Sequence, residues 1–361
     1  MKRVLCLVDG RFVGASRFRF YQFQDYLERH GVRLTIAPCV PEKEFSPSVI
    51  WPRLYGSCRP LARALGGALF LWLYLERFLR VLSSWMYDAV IIQRNIHHWG
   101  PPILERLLFR INPRIALDFD DAIYLAKPER FNETARRARI CIAGSDWLAA
   151  AAVKAGGRAV VVPTVADEEK YKPRDHREAG DAVVVGYVAS RSTLQYLALI
   201  HEALAEVKRT RPALSVRIFA PFARSGYEPL PFFECVEWSE AGEIEALRKI
   251  DIGVMPLPDD EWTRGKCGFK LIQYMTCGVA SVASPVGVNR GIIEHGVNGF
   301  LAADTAAWVK CLTALIDDPG LRGEMGRMAR RTAVERFSVA SAGPPLCSAI
   351  LELASSKGNM K

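Results

Sequence analysis

Short, unbroken apolar runs recur along this chain. Each is followed by a turn signal and then by apolar residues at helical spacing. Val4–Val8 opens the series and ends at Asp9-Gly10 and Gly14. A continuous run of this kind reads as a strand buried on both faces. Ser16 is placed to cap a helix over Arg17–His30, in which Phe20, Phe23, Tyr26 and Leu27 are spaced for one face. Gly31 stops it, and Val32–Ala37 is the next strand. Further strands are expected at Ala89–Ile92, Ile115–Leu117, Ile140–Ala143 and Val160–Pro163, with a capped helix at Trp147–Ala155. A charged stretch from about Lys170 to Asp181, containing Pro173 and Gly180, reads as a linker. The pattern then restarts with Val183–Val188, the loop Ser190-Arg191-Ser192-Thr193 and a helical stretch over Leu194–Val207. Strands follow at Leu214–Phe219, Val236–Trp238, Ile252–Met255 and Val279–Ala283; helices at Glu243–Lys249, Leu271–Thr276, Ala306–Ile316, Leu321–Val334 and Val339–Leu353. Strand–loop–helix alternation, run twice, predicts an α/β chain of two Rossmann-like domains. The tail, Ala354–Lys361, reads as disordered.

One segment departs from this rhythm. Leu61–Trp85 contains an uncharged apolar run, Ala64–Leu75, before Glu76, Arg77 and Arg80 interrupt it. Spanning a bilayer takes about 20 such residues, so the run is too short. It fits a helix buried against a sheet. It also fits a patch lying in a membrane interface, with Leu69, Phe70, Trp72, Leu73 and Trp85 inserted and Arg59, Arg63, Arg77 and Arg80 on phosphates.

A length of 361 residues suits two domains, and 50% hydrophobic with 24% charged residues is ordinary for a globular chain. The net charge of +9 favours an anionic ligand or an anionic membrane surface. No zinc-finger spacing, RNA-binding signature or basic heptad points to nucleic acid. Nine scattered cysteines with no Cys-x-x-Cys fit reduced thiols in a cytoplasmic chain. The apolar run after Lys2-Arg3 is too brief for a signal peptide, since Asp9 ends it.

The candidate chemistry centres on Arg264–Asn289, RGKCGFKLIQYMTCGVASVASPVGVN. A glycine-bearing loop with Lys266 and Lys270 feeds a short helix there. Unpaired N–H groups and the positive end of the helix dipole make such a junction a ready anion site, most simply for a phosphate. The same residues also fit a buried helix–strand unit with a solvated basic loop. Arg191, beside a helix start that Ser192 or Thr193 can cap, is a second candidate for an anion. In the first half, Ser16, Arg17 and Arg19 follow the first strand at the end where open α/β sheets bind ligands. Gln93-Arg94 ends another strand. Asp118-Phe119-Asp120-Asp121-Ala122 ends a third, and a carboxylate there can accept a hydroxyl proton or orient a sugar. Asp121 is the first candidate and Asp120 the second; the alternative is that they cap the following helix or pair with Arg94. His97-His98 is an adjacent pair with no second cluster to complete a metal site.

The stretch YMTCGVASVASPVG resembles the C-terminal signature of GT-B glycosyltransferases, specifically glycosyltransferase family 4. Ser16, Arg17 and Arg19 match in part the Ser-x-Arg-x-Arg element of relatives, and Gly299-Phe300-Leu301 matches their Asn-Gly-x-Leu turn. The family's Glu-x7-Glu pair falls on Gly265 and Gln273, so both acids are missing. The resemblance implies a GT-B fold of two Rossmann-like domains facing across a cleft. It implies an acceptor-side domain over 1–168, a nucleotide-sugar domain over 169–337, and a helix over 338–361 crossing back to the first. It implies a retaining hexosyltransferase that moves a sugar from a nucleotide-diphosphate sugar to a glycan or lipid-linked acceptor, as in cell-surface polysaccharide synthesis, with no cofactor and no metal. Donor contacts would then come from Lys266, Lys270, Gln273, Arg191, Ser190, Gly268 and Phe269. Gln273 would take over the ribose contact, since an amide both donates and accepts. Catalysis would involve Asp121 and Asp120, and the acceptor or phosphate side Arg17, Ser16 and Arg94. Two other readings stay open: a degenerate protein that binds nucleotide sugars without turnover, and a nucleotide-sugar epimerase. The location implied is cytoplasmic, with a peripheral position on the inner face of a membrane left open.

Overall fold

The unbroken apolar runs become strands covered on both faces. In the computed structural model, which describes residues 1–40, 59–97, 101–173, 182–222 and 226–356, they form two all-parallel, six-stranded sheets. The side chains of 59–65 also lie outside that description. The chain divides into two compact units, Met1–Thr164 with Ala342–Lys361, and Val165–Ser341. The divisions fall after Thr164 and Ser341, four residues from the bounds expected at 168 and 337.

In the first unit the strands are β1 (Lys2–Gly10), β2 (Val32–Val40), β3 (Ala89–Gln93), β4 (Ile115–Phe119), β5 (Ile140–Ala143) and β6 (Ala159–Val161), in the order β2-β1-β3-β4-β5-β6. Val4–Val8 and Val90–Ile92 are wholly buried, as a sheet covered on both faces requires. The order reverses at β1 and β3. In the second unit β7 (Val184–Val188), β8 (Ser215–Ala220), β9 (Phe233–Glu237), β10 (Ile252–Met255), β11 (Ala280–Ala283) and β12 (Phe300–Leu301) run β12-β11-β10-β7-β8-β9. Here the order reverses at β7 and β10. Ligands of open α/β sheets bind beyond the C-terminal ends of the strands at such a point.

The expected helix over Arg17–His30 is broken. Gly14–Arg19 and Gln24–Arg29 are helical, with a tight 3₁₀ turn at Tyr21–Phe23. The break is at Phe20, which leaves helical geometry (φ −131°, ψ −55°) and buries its ring completely, as does Phe23 three residues on. In the second unit, Leu194–Ile200 is 3₁₀ and the α-helix starts only at His201. The final helix, Val339–Ser355, takes in Ala354 and Ser355 of the expected disordered tail; residues 357–361 of that tail lie outside the described residues. Its first amides, Val339 and Ala340, donate to the Glu168 carboxylate at 2.9 and 3.2 Å. Residues 174–181 of the expected linker are also outside the described residues.

The apolar segment forms one long helix, Arg59–Ser83. Its inner side carries Leu73, Arg77 and Val81, all buried. Two of the residues expected at a membrane are therefore elsewhere: Leu73 is core, and Arg77 is wholly buried. Arg77 donates to Ala37 O at 2.8 Å and to Val8 O, tying the helix to β1 and β2. A buried guanidinium is tolerable only with such partners. Arg77→Ala removes the donor from two buried carbonyls and leaves a cavity, so it should cost about 2–4 kcal/mol. Urea denaturation measures this; an unchanged midpoint would show that the contact is not structural.

Candidate functional site

In the first unit, a polar cluster occupies the reversal point of the sheet. Asp9 ends β1, Gln93 and Arg94 end β3, and Asp118–Asp121 follow from β4. Arg94 is central. Its guanidinium donates to Asp120 and Asp121 at 2.7 Å each and to Asp9 at 3.4 Å. Its backbone N–H donates to Asp118 O at 2.8 Å. Arg94 also sits at φ +59°, the left-handed region, where a residue with a side chain costs about 1–2 kcal/mol. Burial alone would lower the Arg94 pKa; the three carboxylates outweigh it and hold the guanidinium charge firmly. For Asp120, burial pushes the pKa up, but Arg94 and Arg19 more than offset it, leaving the carboxyl below its ordinary value. Asp118 goes the other way: burial dominates and raises it, despite the charge of Arg19.

Several placements differ from the sequence-based expectations. Arg19, expected at the end of the sheet where ligands bind, turns into the protein. It is buried, grips Asp118 through Nε and Nη2 at 2.6–2.9 Å, and donates to Val162 O at 2.9 Å and Thr164 at 3.1 Å. Ser16 is wholly buried and donates to Gln93 Oε1 at 2.7 Å, so it faces the protein and not a ligand. Arg17 lies over the Phe18 ring at 4.8 Å from its centroid. Arg94, expected on the phosphate side, spends its charge on carboxylates, and four aspartates around two arginines do not favour a phosphate. His97 is a core residue with its ring against Phe70 and Tyr74 at 5.3 and 5.5 Å; His98 lies outside the described residues. Among the described residues no group of His, Cys, Asp and Glu is arranged to hold a metal ion.

In the second unit the loop after β7 meets the helix Phe269–Thr276. Lys270 Nζ donates to Thr193 Oγ1 at 3.1 Å and lies 5.6 Å from the centre of the Tyr187 ring. The loop is tightly held. Ser190 N–H donates to Thr193 Oγ1 at 3.0 Å, and Ser190 Oγ lies 3.0 Å from the same atom. Tyr187 OH donates to Thr193 O at 2.7 Å, and Val188 N–H donates to Tyr274 OH at 2.9 Å. Gly253 makes the last contact possible, because a Cβ there would stand 2.5 Å from the Tyr274 ring. Arg191 is exposed on the same loop.

Gly268 begins the Phe269–Thr276 helix at φ +69°, and a Cβ would lie 2.4 Å from Ile292. Only glycine satisfies both conditions. The first N–H groups of the helix thus emerge beside Lys270 and the Ser190–Thr193 loop, the chemistry of an anion site. Lys266 sits nearby in chain but lies over Trp262, 5.2 Å from the ring centre. Gln273 corrects an expectation. It is buried and donates to Glu243 Oε1, which also accepts from Tyr171 OH at 3.2 Å. Its amide nitrogen is committed to the interior of the unit and not to the expected ribose contact. Glu243 was not singled out in the sequence; nothing in the pattern around it marks it as a partner for Gln273.

Residues 182–318 match the family model described as Glycosyl transferases group 1. D-inositol 3-phosphate glycosyltransferase of Arthrobacter sp. (strain FB24) is 36% identical over 88 residues, which is 23% of this chain and 19% of that protein. The chain thus spans about a fifth of the length of that curated relative. The crystal structure of Anabaena Alr3699/HepE in complex with UDP and glucose superposes with a TM-score of 0.65 at 17% identity, covering 97% of this chain and 99% of that one. Sucrose-phosphate synthase from Thermosynechococcus elongatus gives 0.68 at 13% identity, covering 99% and 100%. The chain has the GT-B fold, and the match to the group 1 glycosyl transferase model falls within its second unit.

Arg94→Met takes the guanidinium away from buried Asp120 and should cost about 3–5 kcal/mol at pH 7.5. The sign with pH follows from Asp120. With Arg94 its pKa is depressed, so the contribution it makes is present above the ordinary aspartate value and lost as pH falls below it. Without Arg94, burial raises that pKa and favours the protonated form. The stability gap between wild type and variant should therefore narrow from pH 7.5 to about pH 4.5. A gap constant over that range in urea titrations would break the assignment.

Proposed function

We propose that the protein is a retaining glycosyltransferase that moves a sugar from a nucleotide-diphosphate sugar to a glycan or lipid-linked acceptor. The observation that carries the reading is the Lys270–Thr193 hydrogen bond at 3.1 Å. It brings a cation, a hydroxyl-rich loop and the N-terminus of a helix to one end of the second sheet, at its reversal point. These groups neutralise a diphosphate and, more strongly, the charge that develops on it as the sugar leaves. Gly268 and Phe269 supply backbone there, Ser190 a hydroxyl, and Arg191 and Lys266 further positive charge. No metal is needed in this scheme, because fixed cations and N–H groups supply the stabilisation.

UDP is the first nucleotide to test, because the Anabaena relative of this fold binds UDP and glucose. In the first unit, Asp121 is the more exposed of the two candidate carboxylates and is oriented by Arg94. It serves as the acceptor contact, orienting a hydroxyl, and Asp120 is the buried charge that fixes Arg94 beneath it. The role in cell-surface glycan synthesis and a cytoplasmic location belong to the same reading. The reducing location is supported by the eight described cysteines, all of which are free thiols; burial pushes Cys141 and Cys277 up to about 12. A second reading, nucleotide-sugar binding without turnover, draws on Gly265 and the inward-turned Gln273.

Calorimetry with UDP-, GDP-, ADP- and CMP-sugars tests the reading. One of them should bind, and Lys270→Ala should weaken it about 10–100-fold by removing a charge-assisted contact. Undiminished affinity in that variant would take Lys270 out of the site. Asp121→Asn should leave donor affinity unchanged and lower kcat about 100-fold or more. Binding with no product across a panel of acceptors would favour the second reading.

A further inference from the structure

The long helix Arg59–Ser83 has two apolar faces, and the first sheet uses one of them. On the inner side Leu73, Arg77 and Val81 are buried. On the outer side Leu71, Trp72, Leu75, Leu79 and Leu82 are exposed, and Trp85 beyond it is 71% exposed. Single exposed apolar residues are ordinary, but a row along one helix face is not. The helix cannot leave the sheet to cross a bilayer as a span, because Arg77 holds it to Val8 O and Ala37 O. It can only lie flat.

Charge decides what covers the row. The first unit, Met1–Thr164 with Ala342–Lys361, holds 26 Lys and Arg against 15 Asp and Glu, a formal +11. The second unit, Val165–Ser341, holds 22 against 24, a formal −2. The positive charge of the whole chain is therefore carried by the unit that bears the apolar row. Pairing that face with a second copy would set one +11 unit against another. An anionic lipid surface instead takes up both properties at once, apolar side chains in the interface and cations over phosphates. Trp72 on the row and Trp85 just past it, both exposed, add a side chain suited to the headgroup level. Arg110, on the helix Ile103–Ile111 packed against this one, is exposed, as is Arg80, which pairs with Glu76 at 2.8 Å.

We infer that the outer face of Arg59–Ser83 docks the protein, in the plane of the surface, on a membrane of anionic lipid. The inference stands apart from the donor chemistry, since it concerns the first unit only. It is tested by sedimenting the full chain with vesicles of phosphatidylcholine, with and without phosphatidylglycerol. The chain should sediment with the mixed vesicles, less so as salt rises. The double variant Leu75→Glu/Leu79→Glu should lower that partition about tenfold or more. Both side chains are exposed, so the urea midpoint of the variant should match wild type; Trp85→Ala serves as a second variant should the first unfold. Failure to sediment, equal binding to neutral vesicles, or unchanged binding by a folded variant would overturn the inference. So would a lipid-free dimer that the same variant dissociates, which would make the face a contact between copies.

Discussion

In a parallel sheet every strand leaves by the same edge, and where strand order reverses, neighbouring connections part to opposite faces. That parting is the constraint on which both units depend. It opens backbone ends that no neighbouring helix covers. In the first unit the opening lies beyond β1 and β3, in the second beyond β7 and β10. Each is closed from below by buried side chains: Arg19 on Asp118 in one, Tyr187 and Tyr274 on the β7 loop in the other. The polar groups at the two openings are therefore fixed by the fold before any ligand arrives.

The two openings are electrostatically unlike. In the first, carboxylates outnumber arginines, and Arg94 is shared among three of them. Its charge organises the cluster and is not left over for an anion. In the second, Lys270 meets the Thr193 hydroxyl and the face of the Tyr187 ring. The contrast suits a polyhydroxyl partner at the first opening and a diphosphate at the second, which is the division of labour that the proposed reaction requires.

Charge is also divided on a larger scale. The overall excess of positive charge resides in the first unit, whose own opening is acidic. Apart from Arg19 and Arg94, its basic residues therefore lie elsewhere on that unit. The helix Arg59–Ser83 is built around the same separation. Arg77 is drawn inward by two sheet carbonyls, while leucines and tryptophans at neighbouring turns remain outside.

The sequence by itself determined the inner strands, because a run such as Val4–Val8 or Ala89–Ile92 can be satisfied only by cover on both faces; β12, at Phe300–Leu301, was read as a turn, and β9 starts three residues before the expected strand. It also determined the loop–helix junction at Gly268, because a glycine-bearing turn between periodic segments has few other conformations. What it left open was the partner of each polar side chain. Gln273 was legible as a residue on the right helix, but its bond to Glu243, thirty positions away, was not. Arg19 was expected at a ligand and Arg77 at membrane phosphates, yet each is buried on carbonyls or a carboxylate distant in the chain. Apolar periodicity is a local property, readable from neighbours in the chain. The direction in which an arginine or an amide turns is set by carbonyls and carboxylates that only the closed sheet brings within 3 Å, and that the tertiary structure alone decided.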